Sequence, residues 1–322
     1  VLFSQACRFV SMACALSTFF CRGGAPLLRS IVPAGKRHGH VVSPSKSDAT
    51  VAARMQQQGY VAPMPAFSRK AAATMLRKLQ EYESACNGRL SGNARFKTHL
   101  LLPWVADMIR APAVLDPLEA ILGPNIFVWS SGWAIKQPGS KGFYSWHQDS
   151  TYAGIAPDDD VIVAWIALTE SQRGNGCVRY IPGSHHAQLQ HADMFDEDNL
   201  LSRGQRVMSD SIKEDTAVDA ILQPGEFALH HFKCVHGSGQ NISSTPRVGL
   251  QVVYMAAHCR KEAGNLEGAT LVRGEDAFKH WELEPRPALA MGTSEVAAHE
   301  RSMWLENQNY FADSQGRRCY HK

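Results

Sequence analysis

His147 and Asp149 stand two positions apart in "FYSWHQDSTYAG", residues 143–154, among aromatic and small residues that favour a β-strand. On a strand, that spacing puts both side chains on one face. An imidazole and a carboxylate aimed together either bind something or form a hydrogen-bonded pair on a wet surface. A metal reading needs a third ligand, and 14 histidines compete for the place. The strongest candidate is His236, at the end of a strand-like run in "HHFKCVHGSG". A His-x-Asp pair completed by a distant His has the composition of the two-His-one-carboxylate facial set. That set holds non-haem Fe(II) and leaves positions open for a bidentate 2-oxo acid and then O₂.

If the 2-oxo acid is 2-oxoglutarate, its far carboxylate needs a cationic anchor. Arginine suits this best, being planar, permanently charged and able to bond bidentately. The strand after His236 opens with Arg247, on the face shared by Gly249, Gln251 and Val253. Ser238, two residues after His236, could bond the same carboxylate through its hydroxyl.

The elements that must position these residues fall into two blocks. Helices come first. Ser47 and Ser68 are placed to cap helices over 47–58 and 69–86, stopped by Gly59 and Gly88. Pro103 and Pro112 suit the first turns of helices over 103–110 and 112–122. From residue 126 the pattern becomes strand-like: "IFVWSSGWAIKQ", "GFYSWHQD", "VIVAWIALTE", "CVRYIPGSH", "AILQPGEFALHHFKCVHGSG" and "PRVGLQVVYMAA". Short strands separated by Gly/Pro turns, without intervening helices, predict an antiparallel sandwich or barrel. The polar stretch 187–216 is long for a hairpin loop, and reads as a lid or a surface insertion. A last helix is expected over 294–307.

Taken together, these pieces resemble the phytanoyl-CoA dioxygenase family of Fe(II)/2-oxoglutarate-dependent oxygenases, from about residue 59 to about 279. The matching segments are "WHQD", "VIVAWIAL", "GNGCVRYIPGSH", "LQPGEFALHHFKCVHGSGQN", "PRVGLQVVYM" and "GATLVRGEDAF". The resemblance implies a mainly β fold with flanking helices, a double-stranded β-helix of the jelly-roll or cupin-like kind, with N-terminal helices packed on it. It implies His147, Asp149 and His236 as iron ligands, and Arg247 and Ser238 as anchors of 2-oxoglutarate. The family's upstream lysine corresponds to Lys97, in "RFKTHLL", with Lys136 as its rival. Trp165 matches a family tryptophan near the site, where core packing competes with cosubstrate contact. The implied reaction hydroxylates an unactivated C–H bond of a small organic substrate, with 2-oxoglutarate and O₂ consumed and succinate and CO₂ formed. The related halogenases replace the carboxylate ligand by a small residue, and Asp149 keeps it. A non-catalytic barrel acting as binder or scaffold would lack a ligand or an anchor, and neither is missing.

Composition is consistent with this. The chain has 322 residues, 44% hydrophobic and 20% charged, at formal net charge +3. That is ordinary for a globular protein, and it offers no basic stripe for nucleic acid or for a coenzyme A phosphate. The expected partner is a small-molecule substrate, and oligomeric state is unreadable. Eight cysteines are scattered without a CxxC pair and read as reduced thiols. Residues 1–47 contain no Asp or Glu but several Arg, Lys and Ser. They suggest a transit peptide or a disordered tail, and their apolar run is too short for a comfortable membrane span. The compartment is therefore cytoplasmic or organellar. The expected organisation is an N-terminal extension over 1–45, an oxygenase domain over 46–285 and a C-terminal helical extension over 286–322.

Overall fold

A computed structural model describes residues 46–208, 210 and 212–312; the N-terminal extension lies outside them. Helix α1 (Lys46–Gln58) leads into strand β1 (Tyr60–Pro65) and helix α2 (Arg69–Ala85). The Ser68 hydroxyl caps α2 by accepting from the Ala71 amide at 3.2 Å. Helix α1 begins at Lys46, ahead of the serine expected to cap it. Helices α3 (Pro103–Met108) and α4 (Pro112–Leu122) each open on the proline that marked them.

The strands that follow are β2 (Ile126–Lys136), β3 (Tyr144–His147), β4 (Ile155–Ala156), β5 (Val161–Ala167), β6 (Arg179–Tyr180), β7 (His191–Asp193), β8 (Gln205–Val207), β9 (Val218–Asp219), β10 (Glu226–His231), β11 (His236–Ser238), β12 (Arg247–Ala256), β13 (Arg260–Lys261), β14 (Gly268–Arg273) and β15 (Glu282–Leu283). Helix α5 (Thr293–Tyr310) closes the described chain.

Seven strands form a large sheet in the order β1-β10-β5-β12-β2-β14-β15, and four form a small sheet in the order β3-β11-β6-β9. The pairings are antiparallel except for β14 with β15. This is the double-stranded β-helix. Strand β5 is buried at every position, as its unbroken apolar run requires of a central strand covered on both faces. On its outer face, Ile162, Ala164 and Ile166 join one core with Leu79, Val105, Leu115 and Leu118 of the helices. On its inner face, Trp165 and Ala167 pack with Val178 and Tyr180 toward the small sheet.

Within the large sheet, β12 and its neighbour β5 pack tightly at Gly249. A Cβ on Gly249 would stand 2.3 Å from the Trp165 ring, so only glycine fits there. The strand expected over 220–239 is two strands, β10 and β11, split by a turn at residues 232–235 that moves the chain from the large sheet to the small one. The 187–216 segment is not wholly irregular: β7 and β8 pair within it. Cys86, Cys177, Cys234 and Cys259 are free thiols, as the sequence suggests. Among the described residues, no helix is long and apolar enough to cross a membrane.

Candidate metal centre and its two flanks

The small sheet brings the distant histidine to the pair. His236 on β11 faces His147 on β3 in direct register, and their ring centroids are 4.1 Å apart. Asp149 lies just beyond the end of β3, in a turn, not on the strand. Its position beside His147 therefore comes from the turn rather than from strand alternation. One ligand atom from each of His147, Asp149 and His236 falls within 4.8 Å of the others.

The tautomers suit a metal. Nδ1 of His147 lies 2.8 Å from the Ser145 carbonyl, and Nδ1 of His236 lies 3.0 Å from the Cys234 carbonyl. A carbonyl only accepts, so each Nδ1 carries a proton, and Nε2 is the nitrogen that each ring can offer to a metal. Both Nε2 atoms face the Asp149 carboxylate, at 3.4 and 3.6 Å. Burial, then the neighbouring His147, holds His236 well below the usual imidazole range. Burial tends to raise Asp149, but His236, His147 and His230 outweigh it and hold the carboxyl well below its usual range. A neutral-imidazole, ionised-carboxylate set is what a divalent iron requires.

Two residues absent from the sequence-based site complete the carboxylate. His230 Nε2 lies 3.1 Å from Asp149 Oδ2, and Gln251 Nε2 donates to the same oxygen at 3.3 Å. His230 is held in turn by the Tyr180 hydroxyl, 3.2 Å from its Nδ1. Gln251 was visible as a face-mate of Arg247. His230 lies on β10, in a run that the sequence shows as continuous with β11, and the turn between the two strands brings it back beside the triad. Gln148 points away, as alternation predicts, and bonds the carbonyls of Ala187 and Lys233.

On one flank lies a cationic pocket. Arg247 and Lys136 are opposite each other on β12 and β2, and both are fully enclosed. Arg247 donates to Ser238 Oγ at 3.0 Å and to the Gly176 carbonyl; Lys136 donates to Ser238 Oγ at 2.6 Å and to the Gly239 carbonyl. Arg247 Nε is buried without an acceptor. No carboxylate among the described residues pairs with either cation. Burial, then the Arg247 charge, pushes Lys136 down to about 6. Two buried basic side chains and an orphaned donor thus meet at Ser238 with no acidic partner among the described residues. Trp165 serves this flank by packing: the Arg247 guanidinium lies 5.0 Å from its ring centroid. Gly176, at φ +76°, can bring its carbonyl there only without a side chain, because a Cβ would meet the Gly239 carbonyl at 2.3 Å.

The structure places Lys97 elsewhere. Its ammonium is buried against Glu284 at 2.8 Å, Ser302 at 2.9 Å and the Gly268 carbonyl. Lys97 is engaged in joining α5 to the barrel, and Lys136 holds the place beside Arg247 and Ser238. Lys97 precedes α3 and Lys136 ends β2, and both are buried lysines upstream of the triad, so sequence position alone could not separate them.

On the other flank a cleft of about 150 Å³ opens to solvent. Asp149 and Gln251 line it, together with Trp129, Trp133, Tyr144 and Phe232. Residues 200–202 and Gln205, from the polar insertion, form part of its rim, so that segment borders the cleft.

A family model for phytanoyl-CoA dioxygenase matches residues 55–249. The peroxisomal phytanoyl-CoA dioxygenase of Bos taurus is 29% identical over 154 residues, 46% of this chain and 45% of that protein. The chain thus aligns with a little under half the length of that relative. A probable alpha-ketoglutarate-dependent hypophosphite dioxygenase of Stutzerimonas stutzeri is 26% identical over 62% of this chain and 76% of its own. Among solved structures, the non-heme monooxygenase ThoJ in its apo form superposes with a TM-score of 0.75 at 29% identity, covering 83% of this chain and 100% of that one. CytC3, at 22% identity and a TM-score of 0.55, shares the fold. The chain belongs to the phytanoyl-CoA dioxygenase family of Fe(II)- and 2-oxoglutarate-dependent oxygenases.

Proposed function

We propose that this protein binds Fe(II) through His147, Asp149 and His236, and uses 2-oxoglutarate and O₂ to hydroxylate an unactivated C–H bond of a small organic substrate. The observation that carries the reading is the junction of a ligand triad with a buried, unpaired cation pair. The triad fits a divalent metal in donor type, tautomer and spacing. The Arg247/Lys136/Ser238 pocket fits the far carboxylate of a dicarboxylate cosubstrate. Iron bound there would supply the coordination positions on which the 2-oxo acid and O₂ meet.

The chain's own residues divide the remaining work. Ser238 and Arg247 fix one end of the cosubstrate, and Lys136 adds a second charge. His230 and Gln251 occupy Asp149 Oδ2, which leaves Oδ1 as the ligand atom and keeps the carboxylate to one coordination position. The cleft's aromatic walls limit water around the reacting carbon. A scaffold reading would need a ligand or an anchor to be absent, and each has its candidate.

The test is turnover of 2-oxoglutarate by Fe(II)-loaded protein across acyl-CoA thioesters, amino acids, compatible solutes and natural products. Succinate formation stimulated by one class, with a one-oxygen mass gain in that compound, is expected. Succinate formation that is independent of added iron would refute the proposal.

A further inference from the structure

The register of β12 on β2 sets out the barrel interior in levels. Arg247 faces Lys136 at the anchor, Gln251 faces Gly132 beside the Asp149 carboxylate, and Val253 faces Ser130 beyond it. Each level is two residues from the next on a face, roughly 6.6 Å along the strand. The cosubstrate anchor is thus two levels to one side of the metal residues. One level to the other side, the Ser130 hydroxyl donates to Glu306 Oε1 at 3.2 Å. Glu306 reaches that point from α5 and lines the cleft together with Asp149.

Glu306 is the surplus charge of its surroundings. Behind it Lys97 is matched by Glu284 at 2.8 Å, and Lys261 by Glu267 at 2.9 Å. His99 and His299 are driven toward the neutral form by burial. The local sum is two ammonium groups against three carboxyls. Glu306 Oε2 accepts no hydrogen bond and lies 3.5 Å from Lys97, whose nearer carboxylate is Glu284. Burial pushes the Glu306 carboxyl above its usual range, with Lys97 acting in the opposite sense. The other charged group lining the cleft besides Asp149 is Arg95, whose guanidinium donates to the Trp133 carbonyl and lies over the Phe96 ring.

We infer that Glu306 selects the substrate: the cleft takes a small molecule with an apolar body and a protonated amine, the amine against Glu306 and the oxidised carbon roughly one strand level away, about 6.6 Å, at the metal residues. An ammonium supplies the counter-charge for Glu306, since the nearer carboxylate of Lys97 is Glu284, and the aromatic lining from Trp129, Tyr144 and Phe232 suits the apolar body. The inference rests on the oxygenase reading, and it makes α5 a substrate-binding element rather than an appendage.

The test uses full-length protein loaded with Fe(II) and 2-oxoglutarate without O₂, and phenylalkylamines of two to five methylene groups paired with the alcohols of the same length. Calorimetry on the wild type should show at least one amine binding about tenfold or more tighter than its alcohol, which corresponds to about 1.4 kcal/mol. Glu306→Gln should reduce that preference to near unity, while iron and 2-oxoglutarate bind as in the wild type. Amines that bind no better than their alcohols in the wild type would overturn the inference, as would a preference that survives in Glu306→Gln. Either result leaves the oxygenase reading standing if iron and 2-oxoglutarate still bind; loss of those two in the wild type instead removes the reading beneath it.

Discussion

Two buried lysines show what a residue's neighbours decide. Lys97 and Lys136 have the same chemistry, one well before β2 and the other at its last position, yet one is matched by a carboxylate, Glu284, and the other is not. Removing each should have opposite consequences. Lys97→Met strands Glu284, and unfolding by urea should show a loss of about 3–5 kcal/mol. Lys136→Met removes a buried amine whose charged form burial disfavours, so stability should hold or rise, while the apparent KM for 2-oxoglutarate climbs about tenfold or more.

Lys136 also gives binding a pH dependence. Its free-protein value near 6 leaves it largely neutral at pH 7.5, and a bound carboxylate favours the charged form. Binding should therefore take up close to one proton at pH 7.5, and affinity should fall as pH rises above about 6. Calorimetry in buffers of different ionisation enthalpy reads the proton directly, and proton release on binding would contradict the assignment. At the carboxylate ligand, His230→Phe deletes the donor to Asp149 Oδ2. Iron affinity should drop about 10- to 100-fold, with partial recovery in His230→Gln, which keeps an N–H.

At the scale of elements, what the sequence made legible followed from periodicity. The unbroken apolar run of β5 announces a central strand, and alternation along β12 sorts Arg247, Gly249 and Gln251 onto the inner face. Proline and serine placed the starts of α2, α3 and α4. The failures have equally local causes. A turn at residues 232–235 divides a run that alternates plausibly throughout, and brings His230 back beside the triad. Asp149 sits in a turn, where parity carries no information, so the strand spacing that groups it with His147 is not what brings the two together. Glu306 had no sequence signal, because a helix far along the chain reveals its cleft-facing side only when docked. The same docking joins Ser302 and Glu306 to Lys97 and Asn309 to Glu267. Helix α5 is thus built into the barrel wall, not appended to it.

For the whole molecule, the large sheet and its helices enclose the main hydrophobic core, and the small sheet carries both candidate histidines. The arrangement puts a cation pocket, a triad and an open cleft in sequence through the barrel. Everything proposed about the reaction depends on the triad holding iron, and equilibrium binding of Fe(II) under anaerobic conditions tests that most directly. Wild-type protein should bind about one iron per chain, and His236→Ala should bind none tightly, since two remaining donors cannot hold a facial site. Circular dichroism should show the variant folded, because His236 packs only within the small sheet and its neighbouring histidines. A folded His236→Ala protein that binds iron as the wild type does would contradict the ligand set and the account built on it.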